Sequence, residues 1–495
     1  MLLDLLLVNP GGSRAVYQDL AAELTAIEPN LWCRLICGYV RDRGWSAEIL
    51  DAEAEGLGPD RIAARVATLA PKLVCVVAHG HQPSASTQSM TAAGEICRRI
   101  KRMLPKQPIL IVGGHVAALP ERTLNEEAVD FACNSEGPMT VDQLLGVMDA
   151  GRNLELVEGL VWRSRNEIIV NPAPPLIQDL DRDLHGDVWD RLPMDKYRSH
   201  NWQAFAGGER QPYASIYTSL SCPFECRFCM IDALFRASKP RQYRMRSPAA
   251  VVAEIDHLYR RYHVRTFKIV DEMFVLAPKL YVPICEGLAA KPYASELNIW
   301  AYGRIDTVKD KHLPLLRSAG IRWLALGIES GSVHVRDGAD KAFDQDDIYA
   351  VVRAIQAAGI NALGNFIFGL PDDTKLSMLA TLDMAKQLRC EWSNFYSGMC
   401  YPGSRLYDDT PEKDRPTSWA GYSQHSFECT PTPTATLTSA EVLAFRDHAF
   451  KEYFSDPGYL TMIERKFGEA VRTHVELMAA HRLPRKLLEC SPATT

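Results

Sequence analysis

A chain of 495 residues, 47% hydrophobic and 23% charged, has ample material for a buried core and reads as two to four globular domains. Its formal net charge of −6, with no long Lys/Arg block, makes no case for nucleic-acid binding, and no apolar run of about 18 residues marks a transmembrane helix. Its 13 cysteines are odd in number, scattered and without a paired framework, which fits a reducing, cytoplasmic setting.

Residues 2–8 are apolar, broken by Asp4, lack a basic leader and end in Asn9-Pro10-Gly11-Gly12; they read as a first strand rather than a signal peptide. Leu31, Leu35, Ile36, Tyr39 and Val40 recur at helical spacing and predict a helix over 31–43, ending at Gly44. Strands are expected at 46–50, 73–77, 108–112 and 129–132, with helices at 59–69, 86–103 and 140–148. This alternation predicts an α/β, Rossmann-like, doubly wound parallel sheet. Such a sheet binds ligands at the carboxyl ends of its strands. The loops there, 9–12, 78–86, 113–117 and 134–140, are rich in Gly, Ser and His, so that backbone can approach a ligand; the same glycines equally serve as turns. No Gly-x-Gly-x-x-Gly follows the first strand, which disfavours NAD.

Residues 155–162 and 167–170 predict a small hairpin, and 171–212, rich in Pro, Asp and Arg, a linker. Within that linker the aromatics of Trp189-Asp190-x-Leu192-Pro193-Met194-x-Lys196-Tyr197 read as packing residues. Strands at 213–219, 265–270, 297–301, 323–328, 361–368 and 392–399, alternating with helices, predict a partial (β/α)6 barrel. Polar residues recur where these strands end: Asp271 and Glu272, Arg304, then Glu329-Ser330-Gly331. Beyond residue 400, Trp419, Tyr422 and His425 lie in a loop, and helices at 439–454 and 459–474 form a cap over the barrel mouth that carries substrate specificity. The expected division is 1–150, 151–212, 213–400 and 401–495.

The first barrel strand runs into Ser221-Cys222-Pro223-Phe224-Glu225-Cys226-Arg227-Phe228-Cys229-Met230. Three cysteines are one ligand short of a closed zinc site and one short of holding every iron of a [4Fe–4S] cluster. Either a zinc knuckle borrows a distant fourth ligand, or a cluster keeps one iron open to bind a substrate. This stretch resembles the cysteine motif of the radical S-adenosylmethionine (SAM) superfamily. The resemblance implies a [4Fe–4S] cluster on Cys222, Cys226 and Cys229 whose open iron chelates SAM, with Phe228 near the adenine. It places Asp271 and Glu272 toward the amino group or ribose of SAM, and Glu329, Ser330 and Gly331 nearby; Arg304 is positioned to hold a carboxylate.

Paired with such a barrel, residues 1–150 resemble the cobalamin-binding domain of B12-dependent radical SAM enzymes. The resemblance rests on Gly113-Gly114-His115 and on Ser135-Glu136-Gly137 with Thr140; many relatives have Gly-Glu-Gly at the second motif. It implies that Asn9, Pro10, Ser84, Ser86, Gly113, Gly114, His115, Glu136, Gly137 and Thr140 border cobalamin. No Asp-x-His-x-x-Gly motif places a histidine under cobalt. His79 and His81 lack the aspartate, and Asp183-x-His185 has Val188 where glycine belongs. The implied activity is methylation of an unactivated carbon in a small molecule. In it a flavodoxin- or ferredoxin-type donor reduces the cluster, SAM yields a 5′-deoxyadenosyl radical that takes hydrogen, and methyl arrives from methylcobalamin, renewed by a second SAM. Relatives that use the same cofactors for rearrangement, cyclisation or oxidation make a non-methylating outcome the alternative. A cofactor-binding sensor without turnover is a third reading. A methylthiotransferase is disfavoured by the lack of a second cysteine triad in the first domain. Methyl transfer requires the ligand edge of the sheet to face the barrel mouth.

Overall fold

The structure is a computed structural model that describes residues 3–21, 24–80, 82–151, 153–165, 167–206, 208–235, 242–341 and 343–489. Near-continuous apolar runs make the first sheet: β1 (Leu5–Asn9), β2 (Ala47–Asp51), β3 (Leu73–Val77), β4 (Ile109–Val112) and β5 (Phe131–Cys133). Such runs suit strands covered by helices on both faces, and all five are parallel. The register sets Leu7 between Ile49 and Cys75. The hairpin, β6 (Leu160–Ser164) and β7 (Glu167–Val170), is not free-standing. It adds antiparallel to β5 and completes the order β2-β1-β3-β4-β5-β6-β7. Residues 155 and 156, expected within its first strand, belong to a short 3-10 turn, Leu154–Leu156, instead. The helix predicted over 31–43 spans Leu31–Arg41, started by Asn30, whose side chain accepts from the Cys33 amide at 3.0 Å.

The second half opens with β8 (Tyr213–Ile216), then a two-stranded ribbon of β9 (Ser219–Leu220) and β10 (Arg244–Met245). It continues with β11 (Thr266–Ile269), β12 (Asn298–Gly303), β13 (Ile321–Glu329), β14 (Asn361–Phe368) and β15 (Trp392–Ser397). Six parallel strands in the order β15-β14-β13-β12-β11-β8 make the partial barrel. Residues 171–212 are more than a linker. Tyr197 donates to Asp51 at 2.8 Å on the first sheet. Trp202 closes the amino-terminal end of the barrel against Trp300, Trp323 and Trp392, with ring centroids 5.3, 4.9 and 6.4 Å away.

The cap begins as expected with the helix Ser439–Phe454. The single helix expected at 459–474 is two, Pro457–Phe467 and Glu469–Ala480, because Gly468 takes φ 94°, a left-handed conformation that ends the first. Among the described residues no helix is long and apolar enough to cross a membrane.

The tryptophan plug yields a direct expectation. Trp202→Ala leaves a cavity between three other indoles and should cost about 3–5 kcal/mol. Urea denaturation followed by tryptophan fluorescence should show an early-melting barrel; an unchanged transition would mean that the plug is not a packing element.

Candidate active site

The cysteine loop starts from a strained corner. Ser221 has φ 78°, a conformation rare outside glycine, and turns the chain from β9 into Cys222. The corner is held by Asp271, just past the end of β11. Its carboxylate accepts from the Thr218 amide (2.6 Å), the Thr218 hydroxyl (2.5 Å) and the Ser219 hydroxyl (2.6 Å). Asp271, expected to face SAM, is buried and taken up by these donors; its carboxylate supports the loop from beneath. Downstream, the Arg227 amide donates to Ala339 O at 3.2 Å, and its carbonyl accepts from the Leu406 amide at 2.9 Å. Arg227 pairs with Asp409 at 2.8 Å, and Arg405 reaches both the Glu225 carbonyl and Asp340. The loop is therefore clipped between the 339–341 segment and the start of the cap.

Cys222, Cys226 and Cys229 are half-buried on this loop, with the Cys229 amide donating to Cys226 O at 3.0 Å. Burial, then the nearby Cys226 and Cys222, push the Cys229 thiol up. Among the described residues no trio of His, Cys, Asp or Glu is drawn together tightly enough to hold a single metal ion. Three free cysteines on one loop match in number and residue type the thiolates of an iron–sulfur cluster with one iron left open.

Around the loop stand the other strand-end residues. Arg304, at the end of β12, stacks on the loop residue Phe224 (4.0 Å) and pairs with Asp306 at 2.9 Å. Its buried Nη1 has no partner among the described residues, a donor suited to a carboxylate. Glu329, at φ 65°, pairs with Lys341, a residue that sequence reasoning missed. A Cβ on Gly327 would lie 2.3 Å from Lys341 Nζ, so the glycine makes room for that pair. Ser330 meets the Thr381 hydroxyl at 3.1 Å, and the Gly331 amide donates to it at 2.8 Å. A Cβ on Gly331 would lie 2.7 Å from Ala380 O, so Ser330 and Gly331 dock β13 onto the helix Lys375–Leu388. Glu272 keeps a carboxyl with no side-chain hydrogen bond to the described residues; burial pushes it up to about 7, with Asp271 adding and Arg244 opposing. Phe228 packs between two apolar clusters, one from the cap and one under β14.

On the first sheet, several residues expected at cobalamin make hydrogen bonds within the protein. Asn9 donates to Asp51 at 2.9 Å. The Ser86 hydroxyl donates to Ala78 O (2.5 Å) and accepts from the His115 amide (2.9 Å). Thr140 donates to Glu158 O at 2.8 Å. Glu136 is gripped by both terminal nitrogens of Arg244 on β10, one at 3.1 Å. Gly137, at φ 108°, packs on Val112, where a Cβ would come within 2.8 Å. Pro10, Gly113 and Gly114 are buried and Ser84 is half-buried; a Cβ on Gly113 would sit 2.3 Å from Ala78 O. His115 is fully buried, its Nδ1 3.2 Å from the Thr87 hydroxyl and its edge on Trp419. His79 stacks on Trp32 at 4.9 Å. Burial lowers both imidazoles to about 3, so both are neutral. His185 lies away from the ligand edge, 2.8 Å from Asp42. His81 lies outside the described residues.

The two edges meet. The Thr87 hydroxyl is 4.0 Å from Met230 Sδ, directly after the third cysteine, and a Cβ on Gly114 would lie 3.5 Å from Met230 Cε. Gly403 fits between Ala118 and Ala233, one from each half. Tyr17, Tyr302, Tyr396 and His425 are each half-buried, and the Tyr17 and His425 rings lie 5.5 Å apart. Gln82 of the first sheet donates to Tyr302 of the barrel, and Gln88 to Tyr401 at 3.4 Å. Arg446 donates to His425 Nε2 at 2.9 Å, which leaves the proton on Nδ1. Lys268 pairs with Glu28 at 3.2 Å inside the barrel. The sequence carried a signal for two of these. A lysine in the buried strand Thr266–Ile269 is out of place in an apolar core, and Asn394 and Tyr396 alternate inward on β15.

Comparison with known proteins adds the following. Residues 17–145 match the B12 binding domain family, and 216–385 the Radical SAM superfamily. The chain is 27% identical to an uncharacterized methyltransferase of Pyrococcus horikoshii over 77% of this chain and 78% of that protein. It is 25% identical to the anaerobic magnesium-protoporphyrin IX monomethyl ester cyclase of Rubrivivax gelatinosus, over 80% of this chain and 69% of that one. Among solved structures it shares the fold of TsrM, a radical SAM methyltransferase of Kitasatospora setae with cobalamin and a [4Fe–4S] cluster bound. The TM-score is 0.68 at 17% identity, covering 97% of this chain and 100% of that one. It also shares the fold of the cobalamin-dependent radical enzyme OxsB, with TM-score 0.69 and 15% identity over 97% and 71%.

The role of Asp271 is testable. Asp271→Asn turns one acceptor oxygen into a donor facing donors, and the loss of charge-assisted hydrogen bonds costs about 1.5–3 kcal/mol. Iron and sulfide per reconstituted chain should fall while the three cysteines remain. Full iron content with weakened SAM binding would return Asp271 to the SAM site.

Proposed function

This chain is a B12-binding radical SAM protein, and from that premise we propose that it is a methyltransferase acting on an unactivated carbon of a small molecule. The observation that carries the proposal is the closure of the first sheet's ligand edge onto the cysteine loop, through Thr87, Gly114 and Met230, with Gln82 of the first sheet donating to Tyr302 of the barrel. When bound, cobalamin, the [4Fe–4S] cluster and SAM supply a transferable methyl group and one-electron cleavage of SAM. Cys222, Cys226 and Cys229 hold the cluster. Arg304 offers its unpaired Nη1 to the SAM carboxylate, and Glu272 presents its carboxyl beside the loop. Backbone at Pro10, Gly113 and Gly114, with Ser84, borders the corrinoid. Tyr17, Tyr302 and Tyr396 hold the substrate and shut out water, so that a reactive radical meets no other hydrogen source. TsrM has been captured with tryptophan and a SAM analogue, which supports a substrate of that size class here. The electron donor in this scheme is a flavodoxin- or ferredoxin-type protein.

A second reading has its own support. The similarity to anaerobic cyclases favours a non-methylating reaction with the same cofactors. Anaerobic reconstitution with cobalamin, titanium(III) citrate and SAM separates the two. The methyltransferase should form both 5′-deoxyadenosine and S-adenosylhomocysteine, and the triple Cys222→Ala, Cys226→Ala, Cys229→Ala variant should lose 5′-deoxyadenosine. Formation of 5′-deoxyadenosine with no S-adenosylhomocysteine would favour the non-methylating reading.

Arg304→Ala should weaken SAM binding ~10- to 100-fold, the equivalent of about 1.5–3 kcal/mol for a charge-assisted hydrogen bond, at unchanged iron content. Equilibrium dialysis with labelled SAM checks this; unchanged affinity removes Arg304 from the site.

A further inference from the structure

The ribbon that feeds the cysteine loop carries two arginines into the seam between the barrel half and the first domain, where Arg244 meets Glu136 and Arg246 meets Glu254. Arg244 lies on β10 and Arg246 one residue beyond it, two apart and therefore on one face of the strand. Arg244 binds Glu136 with both terminal nitrogens, and its Nη1 also donates to Ile177 O at 2.7 Å. Its guanidinium lies 5.5 Å from the Phe235 ring. The side chains of Arg244 and Glu136 are only 3% and 7% exposed. Arg246 pairs with Glu254, which also accepts from Arg34 of the first domain (3.4 Å) and from Trp189 Nε1 (3.2 Å). β10 is paired with β9, the last strand before Ser221 and Cys222, and the Arg246 amide donates to Thr218 O at 2.9 Å, the residue held by Asp271. A continuous chain of contacts thus runs from the loop after β5, where Glu136 sits between Ser135 and Gly137, to the turn that launches the cysteines.

We propose that the Glu136–Arg244 pair is a positioning strap that sets the corrinoid edge of the first domain at its working distance from the cluster loop. The inference rests on the cofactor assignment above and adds a role for two side chains that pair with each other across the seam. Ion pairs buried at this depth stabilise little, because desolvation offsets the Coulomb gain. What they specify is register: Arg244 finds its partner in one docking geometry alone. An apolar contact of the same area would tolerate sliding. Reductive cleavage of SAM needs only the cluster and its own pocket. Methyl transfer from SAM to the corrinoid needs both halves in place, so the two reactions should respond differently when the strap is cut.

The test uses full-length protein with and without cofactors. The principal variant is Glu136→Gln with Arg244→Met, which removes both charges and leaves no buried ion alone; Glu136→Gln by itself is the companion. In the cofactor-free protein, hydrogen–deuterium exchange should rise in 134–140 and in β9–β10 while the melting temperature of the double variant stays near wild type. In protein reconstituted with cobalamin, titanium(III) citrate and SAM, 5′-deoxyadenosine should stay within about twofold of wild type. S-adenosylhomocysteine should fall about ten- to a hundredfold, as expected for a misplaced reacting pair. The charge-reversed pair, Glu136→Arg with Arg244→Glu, should recover part of it. Equal amounts of both products in wild type and double variant, or an equal loss of both with the cluster, would overturn the strap. Wild-type protein that makes no S-adenosylhomocysteine would instead contradict the methyltransferase reading, and the exchange measurement would still decide the strap.

Discussion

Arginine cannot be buried between two domains without a partner, and this chain buries Arg34, Arg244 and Arg246 there. Each must meet a carboxylate in the same narrow seam, and Glu136 and Glu254 meet them from opposite sides. That requirement selects one relative placement of the sheet and the barrel. The rest follows from it: Met230 reaches Thr87, Gly403 slots between Ala118 and Ala233, and Gln82 reaches Tyr302. Two carboxyl-terminal strand edges, each of the kind that binds ligands alone, become the two walls of one chamber.

Within the barrel, polarity is graded along the strands. The amino-terminal end is a dry plug of four tryptophans. The middle holds one ion pair, Lys268 with Glu28, and an amide contact in which Asn394 donates to Asn365 at 3.0 Å. The carboxyl-terminal rim carries Arg304, Glu272 and the Glu329–Lys341 pair around the cysteine loop. The rim is thereby separated from the far end of the barrel by packed indoles. His425, neutral and fixed by Arg446, adds a polar group beside Tyr17 without adding charge.

Much of this was legible in the sequence because strand ends announce themselves. Parallel strands buried on both faces read as apolar runs, and the residues after each run lie at the ligand edge, so the strand-end positions of Cys222, Arg304 and Glu329 are legible without coordinates. Contacts made across the fold were not legible. Glu136 sits in a motif that resembles cofactor-binding loops, yet its partner is 108 residues away on a two-residue strand with no periodicity to detect. Asp271 and Ser86 are polar residues at the expected edge whose side chains point into the supporting layer; spacing tells which edge a residue occupies, not which hydrogen bond it makes. The break at Gly468 was missed because a glycine in an otherwise helical pattern is tolerated often enough to be read through.

The central claim is that the two halves form one chamber shared by both cofactors. Pulsed electron paramagnetic resonance on protein carrying both cob(II)alamin and the reduced cluster tests it most directly. A shared chamber predicts that the two spins are dipolar-coupled, with the cobalt signal broadened and its relaxation quickened when the cluster is reduced. A spectrum that is the simple sum of two isolated centres, unchanged by reduction of the cluster, would contradict it.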